Sequence, residues 1–533
     1  MRRFLCPTYR CFPAVMAMIL SLTVAAVGRA QFTESLAARI HKVISRPEFV
    51  HANFGIEFYS LESDNIIYAL NSDKLFVPAS TTKLLSEGTL LAKLGPDYRF
   101  HTRIYATGPI NSKGELKGDL ILVASGDPNL SNRLQPDGSL AFMDQDHSYD
   151  GPALPGDPLA VIKILAHDVA ERGIRKIKGR VLVDSSLFPD GPREGGTNIV
   201  LSSIMVNDNI IDLTGNPGAK AGDPAIVLSS PPTSYANFVN HMITSPSGSK
   251  PSFDTSGIVT KPDGTIVVTL SGSLPLGIEP QTVAFGVPTP TTFAETVLRE
   301  ALASLGIEIR PSKTSASPEF LALHRFYSPA NQVAEHVSLP LAEEIKVTLK
   351  VSQNLHAGMT PYLLGAIAGK DLQQSLDAGF KIEREFLQSA NLDLSGAAQG
   401  DGAGGDWADL FSPDFMVHYL IYWTTRPDYP VFFKALPVIG TDGTLAKIQT
   451  ASPAAGHVFA KTGTFGSEDR LNSKLMLNGK GLAGYVITKD GKKLAFAAYV
   501  NHLSLPLDPD AAQSIAGQAL GEIAVAAYDA ILE

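Results

Sequence analysis

The chain has 533 residues, of which 44% are hydrophobic and 18% charged, enough apolar side chain for folded cores and too much for general disorder. At roughly 100 to 200 residues per domain, that length predicts two to four domains. The formal net charge of -9, with no long Lys/Arg run, excludes a protein that grips nucleic acid through its phosphates.

The first segment carries the pattern of a cleavable export signal. Arg2, Arg3 and Arg10 precede an apolar stretch from Ala14 to Val27, and Gly28-Arg29-Ala30 offers small residues for cleavage after Ala30. The apolar run is shorter than a membrane span needs, and no later stretch reaches that length, so the expectation is a protein exported to the periplasm with no stable membrane span. An uncleaved N-terminal anchor is the alternative. Both cysteines, Cys6 and Cys11, would leave with residues 1–30, as would four of the 44 basic residues. The remaining chain has no thiol for a disulfide, a zinc ligand or a nucleophile, so its chemistry must rest on oxygen and nitrogen.

Thr33 to Ser45 is amphipathic at helical spacing, with Leu36, Ile40 and Val43 on one face. Two strand-like runs, Phe54 to Leu61 and Ile66 to Leu70, flank the turn pair Asp64-Asn65. A helix is expected from about Ser80, after Pro78, with Leu84, Leu85, Leu91 and Leu94 as its stripe and Gly95-Pro96 as its stop. From Arg99 to Pro318 the composition shifts to short β-rich runs such as Asp119 to Ala124, Arg180 to Val183, Ala225 to Leu228 and Thr265 to Leu270. Helical patterns at Leu159 to Arg172 and Thr292 to Leu305 interrupt them. The Ser- and Pro-rich stretch from Pro231 to Gly257 is expected to be surface loop or a module joint. Helical patterns return at Ala342 to Leu349, Pro361 to Ala368 and Leu372 to Ser389. Strands then follow at His457 to Thr464, Leu482 to Thr488 and Lys493 to Asn501, with a last helix from about Asp510. Helix-plus-strand segments at both ends bracket a β-rich middle, an α+β arrangement. The economical organisation is one discontinuous domain, residues 31–98 with 320–533, interrupted by 99–319 as one or two nested modules.

The chain lacks H-E-x-x-H, the phosphate-binding G-x-x-x-x-G-K-[ST] and the G-x-S-x-G elbow, and no reliable metal site or cofactor motif replaces them. Three short patterns remain in order: Ser80-Thr81-Thr82-Lys83, Ser352-Gln353-Asn354 and Lys461-Thr462-Gly463-Thr464. Each alone is weak, since S-x-x-K recurs at Ser247 to Lys250 and S-x-N at Ser63 to Asn65 and Ser389 to Asn391. Context selects Ser80, which opens a helix, whereas Ser247 lies among Ser, Pro and Gly. Residues three apart on a helix share a face, so the Lys83 amine can reach the Ser80 hydroxyl. Unpaired N–H groups at a helix start favour an oxyanion there. A lysine acts as base only if its pKa falls from about 10.4 toward 7, which burial and a second cation both promote. Lys461 is the candidate second cation, and Ser352 a candidate proton relay.

The three patterns resemble the S-x-x-K, S-x-N and K-T-G set of penicillin-recognising serine enzymes. With Pro78 to Lys83, Gly126-Asp127-Pro128, Leu436 to Leu445 and Gly484-Tyr485, the chain is similar to the D-alanyl-D-alanine carboxypeptidases of peptidase family S13, the class C low-molecular-weight penicillin-binding proteins. The family has a large insertion between its first two motifs, and Ser80 and Ser352 are 272 positions apart. The resemblance implies a β-lactamase-like transpeptidase domain, an antiparallel sheet with helices, interrupted by inserted β-rich modules. It implies attack by Ser80 on the penultimate D-alanine of peptidoglycan stem peptides, with cleavage of D-alanyl crosslinks as a second activity and β-lactam antibiotics as acylating mimics. It assigns Lys83 as base, Asn354 as a substrate hydrogen-bond donor, and Lys461 with Thr462 as the carboxylate holder. The N–H groups of Ser80 and Thr464 would form the oxyanion hole, with Gly463 between. Three departures stand out: Asp401-Gly402-Ala403-Gly404 lacks a hydroxyl the family often has, Gln353, His356 and Gly358 replace a more acidic pattern, and Gly466 to Lys480 lengthens the connection after the third motif. A serine β-lactamase or esterase, and a catalytically weakened murein-binding protein, are the alternative readings.

Overall fold

A computed structural model describes residues 34–529, apart from 132, 189, 263, 311–318 and 509. The expected export signal lies outside the described residues. Among them, no helix is long and apolar enough to cross a membrane.

Six antiparallel strands form the main sheet, in the order Val458–Asp469, Lys474–Ile487, Lys493–Asn501, Asn53–Ser60 and Asn65–Leu70, with Leu503–Leu505 paired to the second. The two ends of the chain therefore meet in one sheet, where Asn53–Ser60 pairs with the C-terminal strand from Asn53↔Asn501 to Ser60↔Leu494. The period-two alternation of a strand assigns its faces. Leu494, Phe496, Ala498 and Val500 pack with the terminal helices Leu36–Ile44 and Gln518–Tyr528. Ala495, Ala497 and Tyr499 pack on the other side with helices Lys83–Leu94 and Pro413–Thr424. Residues 83 to 91 are buried on every side, so the helix carrying Lys83 is the interior member of this layer.

The lengthened connection expected at Gly466 to Lys480 is itself paired strand. Both strands run on as one hairpin to Asp469↔Lys474, with an irregularity between Phe465 and Gly466. Pro231 to Gly257 likewise departs from expectation, because it supplies strands Ala236–Asn240 and Ile243–Ser245 and the start of Ser252–Thr260, all paired to Ile266–Pro275. These strands are mostly exposed, so their polar composition suits a solvated sheet and conceals the pairing.

Residues between 104 and 334 build an apolar cluster of their own, which includes helices Ala160–Glu171 and Pro290–Ser304. The strand Gln332–Val337 pairs with His101–Ala106, so the sheet of this region extends past the expected edge at residue 319. Phe188, Ile199, Leu201, Met205 and Ile210 leave that cluster and pack into the core around helix Lys83–Leu94. A buried charge network joins the two regions beside them. Arg133 Nη2 lies 2.6 Å from Asp146 and 2.7 Å from Asp208, His147 bridges Asp208 and Asp212, and His356 bridges Asp208 and Glu344. Burial alone would lower the pKa of both histidines, but these carboxylates overcome it and raise each to about 10, so both are cations.

Removing one member of a buried ion network leaves uncompensated charge behind. Arg133→Ala is expected to lower the unfolding free energy by about 3–5 kcal/mol, measured by urea titration. A loss below about 1 kcal/mol would mean that Asp146 and Asp208 find other partners.

Candidate active site

Ser80 lies on a 3₁₀ turn, Ala79–Thr82, and the α-helix itself begins at Lys83 rather than Ser80. Ala79 just before it has φ 47°, left-handed backbone for a residue with a side chain. The Lys83 ammonium is fully buried and donates to Ser80 Oγ at 2.7 Å, Asn354 Oδ1 at 2.6 Å and the Ala403 carbonyl at 2.8 Å. All three acceptors are neutral. Burial is the largest influence and lowers the Lys83 pKa to about 8, against the raising fields of Glu194, Asp401, Glu87 and Asp409. The depression therefore comes chiefly from desolvation. It is the Lys461 amine that is held well below its ordinary value, first by burial and then by the charges of Lys83 and Lys480.

Ser352 occupies a left-handed corner, φ 64° and ψ 38°, between helices Leu341–Val351 and Asn354–Leu363. Gln353 caps the second helix through Leu355 N–H and also donates to Asp146 at 2.8 Å. Tyr149, from the 104–334 region, clamps this corner: its O–H donates to the Ser352 carbonyl at 2.7 Å and its oxygen accepts the Asn354 N–H at 2.9 Å. Asn354 Nδ2 donates to Glu194 at 3.0 Å, which leaves Oδ1 facing Lys83. A carboxylate can only accept, so Glu194 fixes the amide direction.

Lys461 lies on the edge strand of the main sheet, and its buried amine donates to Ser352 Oγ at 2.8 Å and to the Thr462 carbonyl at 2.7 Å. Thr462 Oγ1 donates to Thr444 at 2.8 Å. Gly463 serves close approach: a Cβ there would stand 2.3 Å from the Pro78 carbonyl oxygen and 3.0 Å from Ser80 N. Gly404 does the same from the opposite side, where a Cβ would stand 2.0 Å from the Ala79 carbonyl oxygen and 2.9 Å from Ser80 N. Asp401 shapes that second loop by accepting N–H groups of Ala403, Gly404 and Gly405. The hydroxyl absent at Ala403 is not needed for the bond to Lys83, which uses the backbone carbonyl.

Ser80, Ser352, Asn354, Thr462 and Thr464 all line one cleft of about 450 Å³, while Lys83 and Lys461 sit behind it. The residues missed from sequence are Tyr149, Glu194, Thr444, Lys480 and Gln513. Lys480 is the cross-strand partner of Thr464 and donates to its hydroxyl oxygen at 2.6 Å and to Gln513 Oε1 at 3.3 Å. For a metal, Asp146, His147 and Asp208 converge, but Arg133 already supplies their cation. Glu57, Asp414 and His418 also converge, on the main sheet and helix Pro413–Thr424 rather than in the cleft. The arrangement brings a buried amine to a serine hydroxyl beside a sheet edge whose backbone can pair with an extended peptide. That is apparatus for acyl transfer.

Residues 36–520 match the D-Ala-D-Ala carboxypeptidase 3 (S13) family. The chain belongs to this family. It is a serine-type DD-carboxypeptidase by that membership, and the three motifs are the ones found in its cleft. A D-alanyl-D-alanine carboxypeptidase of Actinomadura sp. (strain R39) is 25% identical over 92% of this chain and 89% of its own. The D-alanyl-D-alanine carboxypeptidase DacB of Haemophilus influenzae is 23% identical over 85% of this chain and 86% of its own. Among solved structures, penicillin binding protein 4 (dacB) of Haemophilus influenzae superposes with a TM-score of 0.69 at 20% identity, covering 91% of this chain and 97% of that one. The same fold is seen for that protein complexed with a β-lactam, with a TM-score of 0.66. The S13 chain is thus α+β with the architecture of penicillin binding protein 4.

Gly463→Ala is expected to push the edge strand off the turn that carries Ser80. A displacement near 1 Å at a reacting centre costs about 100-fold in rate, so the acylation rate by a labelled penicillin should fall by about that factor. An unchanged rate would show that the strand and turn separate freely.

Proposed function

We propose that this S13 enzyme acts through a Ser80 acyl-enzyme on peptidoglycan stem peptides ending in D-Ala-D-Ala, and that β-lactams acylate the same serine. The observation that carries the proposal is the 2.7 Å contact between Ser80 Oγ and a buried Lys83 amine whose acceptors are all neutral. Ser80 Oγ bonds to the penultimate D-alanine carbonyl carbon as its proton passes to Lys83. The C–N bond then breaks, and the leaving D-alanine nitrogen takes the proton that Lys83 received, relayed through the Ser352 hydroxyl, which Lys461 contacts at 2.8 Å, so that Lys83 is neutral again. Water resolves the ester with Lys83 again as base. Backbone N–H groups of Ser80 and Thr464 are the proposed oxyanion donors.

An endopeptidase activity on D-alanyl crosslinks fits the same chemistry, since the scissile bond again follows a D-alanyl carbonyl. The β-lactam-complexed relative of the same fold supports the acylation reading. Export to the periplasm, where such substrates lie, is proposed from residues 1–30.

Purified protein incubated with a labelled penicillin should carry the adduct on the peptide containing Ser80, and should release D-alanine from a D-Ala-D-Ala peptide. Folded protein with no adduct there would sink the acyl-enzyme reading, and a short-lived adduct without D-alanine release would favour a β-lactamase. Lys83→Ala should abolish the adduct.

The pH dependence has a definite sign. Lys83 accepts a proton only when neutral, and its pKa is lowered to about 8. The acylation rate should therefore rise with pH and reach half its plateau near pH 8. A rate that falls across pH 7 to 9 would contradict Lys83 as base.

A further inference from the structure

The cleft contains a cation that the three motifs do not account for. Lys480 lies on the second strand of the main sheet directly across from Thr464, so both side chains share the cleft face. It is only 4% exposed, and its ammonium uses two donors, to Thr464 Oγ1 and Gln513 Oε1. An ammonium has three.

Lys461, the expected carboxylate holder, is fully buried and committed to Ser352 Oγ and the Thr462 carbonyl. The Thr462 hydroxyl is committed as well, since it donates to Thr444. Thr464 differs: its oxygen accepts from Lys480, so its own O–H remains to donate. We infer that Lys480 and the Thr464 hydroxyl together bind the free α-carboxylate of the leaving residue and set the enzyme's preference for it. The inference rests on the carboxypeptidase reading and deepens it.

Charge and chemistry agree with this placement. Burial lowers the Lys480 pKa to about 8, which still leaves it mostly protonated at neutral pH. Asp144, Asp146 and Asp510 also line the cleft, so an anion must be held where a cation outweighs them. Lys447 is the other lysine there, but it is exposed and a screened surface charge discriminates little. The substrate class follows from the group recognised. A terminal D-alanine presents an α-carboxylate two bonds beyond the scissile nitrogen. So does a crosslink whose amine donor is a D-configured centre with a free carboxylate. Substrates amidated at that position should be refused.

The test is calorimetric binding to the full chain carrying Ser80→Ala, with an acetylated L-Lys-D-Ala-D-Ala peptide as free acid and as C-terminal amide. The free acid should bind about 10- to 100-fold more tightly, the worth of a charge-assisted bond. Lys480→Met in this background should erase that preference, Lys480→Arg should keep most of it, and Lys447→Ala should leave it intact. A preference that survives Lys480→Met, or that vanishes with Lys447→Ala instead, overturns the assignment. Should Lys480→Met fail to fold, Ser80→Ala alone decides, because equal binding of acid and amide removes the role of any cation. Binding of neither peptide would remove the peptide site, and this inference with it. Equal binding by Ser80→Ala together with D-alanine release by the unmutated enzyme would leave the carboxypeptidase reading standing and only the lysine's role refuted.

Discussion

The site depends on a lysine ammonium taken out of water without a carboxylate to receive it. An amine so placed loses solvation that neutral acceptors replace only in part, and its proton becomes easier to remove. Ser80 Oγ, Asn354 Oδ1 and the Ala403 carbonyl supply geometry without supplying charge. The nearby acids, Glu194, Asp401, Glu87 and Asp409, pull in the other direction and keep the pKa from falling further. Two of them do structural work at the same time: Asp401 folds the loop that presents the Ala403 carbonyl, and Glu194 turns the Asn354 amide toward the amine. Lys461 cannot act as the principal perturber, because it is itself driven strongly toward neutrality.

That balance explains why the region between residues 104 and 334 is more than an appendage. Tyr149 and Glu194 both come from it, and both bear on the Ser352–Asn354 corner. A contact of this kind works only if the two regions are rigidly registered. The Arg133, Asp208 and His356 network provides the register, since ion pairs in a dry interior tolerate little displacement and Gln353 ties the corner directly to Asp146. His356 and Gln353, departures from the family pattern, are thus members of the joint rather than empty substitutions.

Helical spacing made the Ser80 and Lys83 pair legible in the sequence, and strand pattern placed Lys461 to Thr464. The third motif's neighbours were less legible for identifiable reasons. Lys480 lay within reach, because Thr464 and Lys480 are each eight residues from Asn472 and a hairpin centred there pairs them. Reading Gly466 to Lys480 only as a lengthened connection hid that register. Tyr149 and Glu194 carried no local signal at all, since tertiary placement alone brings them to helix Asn354–Leu363. Pro231 to Gly257 misled for the opposite reason: its strands are exposed, so their residues look like those of a loop.

The Ala79–Thr82 turn that carries Ser80 shows how backbone strain and close packing sustain each other. Ala79 with φ 47° costs about 1–3 kcal/mol in isolation and persists only where its surroundings permit no other conformation. Gly404 and Gly463 provide such surroundings, each approaching so closely that a single Cβ would collide with the carbonyl of Ala79 or Pro78. One glycine belongs to the loop that Asp401 organises and the other to the edge strand that carries Lys461 and Thr462. Ser80 is therefore clamped between the loop that receives the Lys83 ammonium and the strand available to pair with a substrate. Because backbone makes these contacts, the side chain at position 403 is free to vary, and a methyl group there leaves the clamp intact.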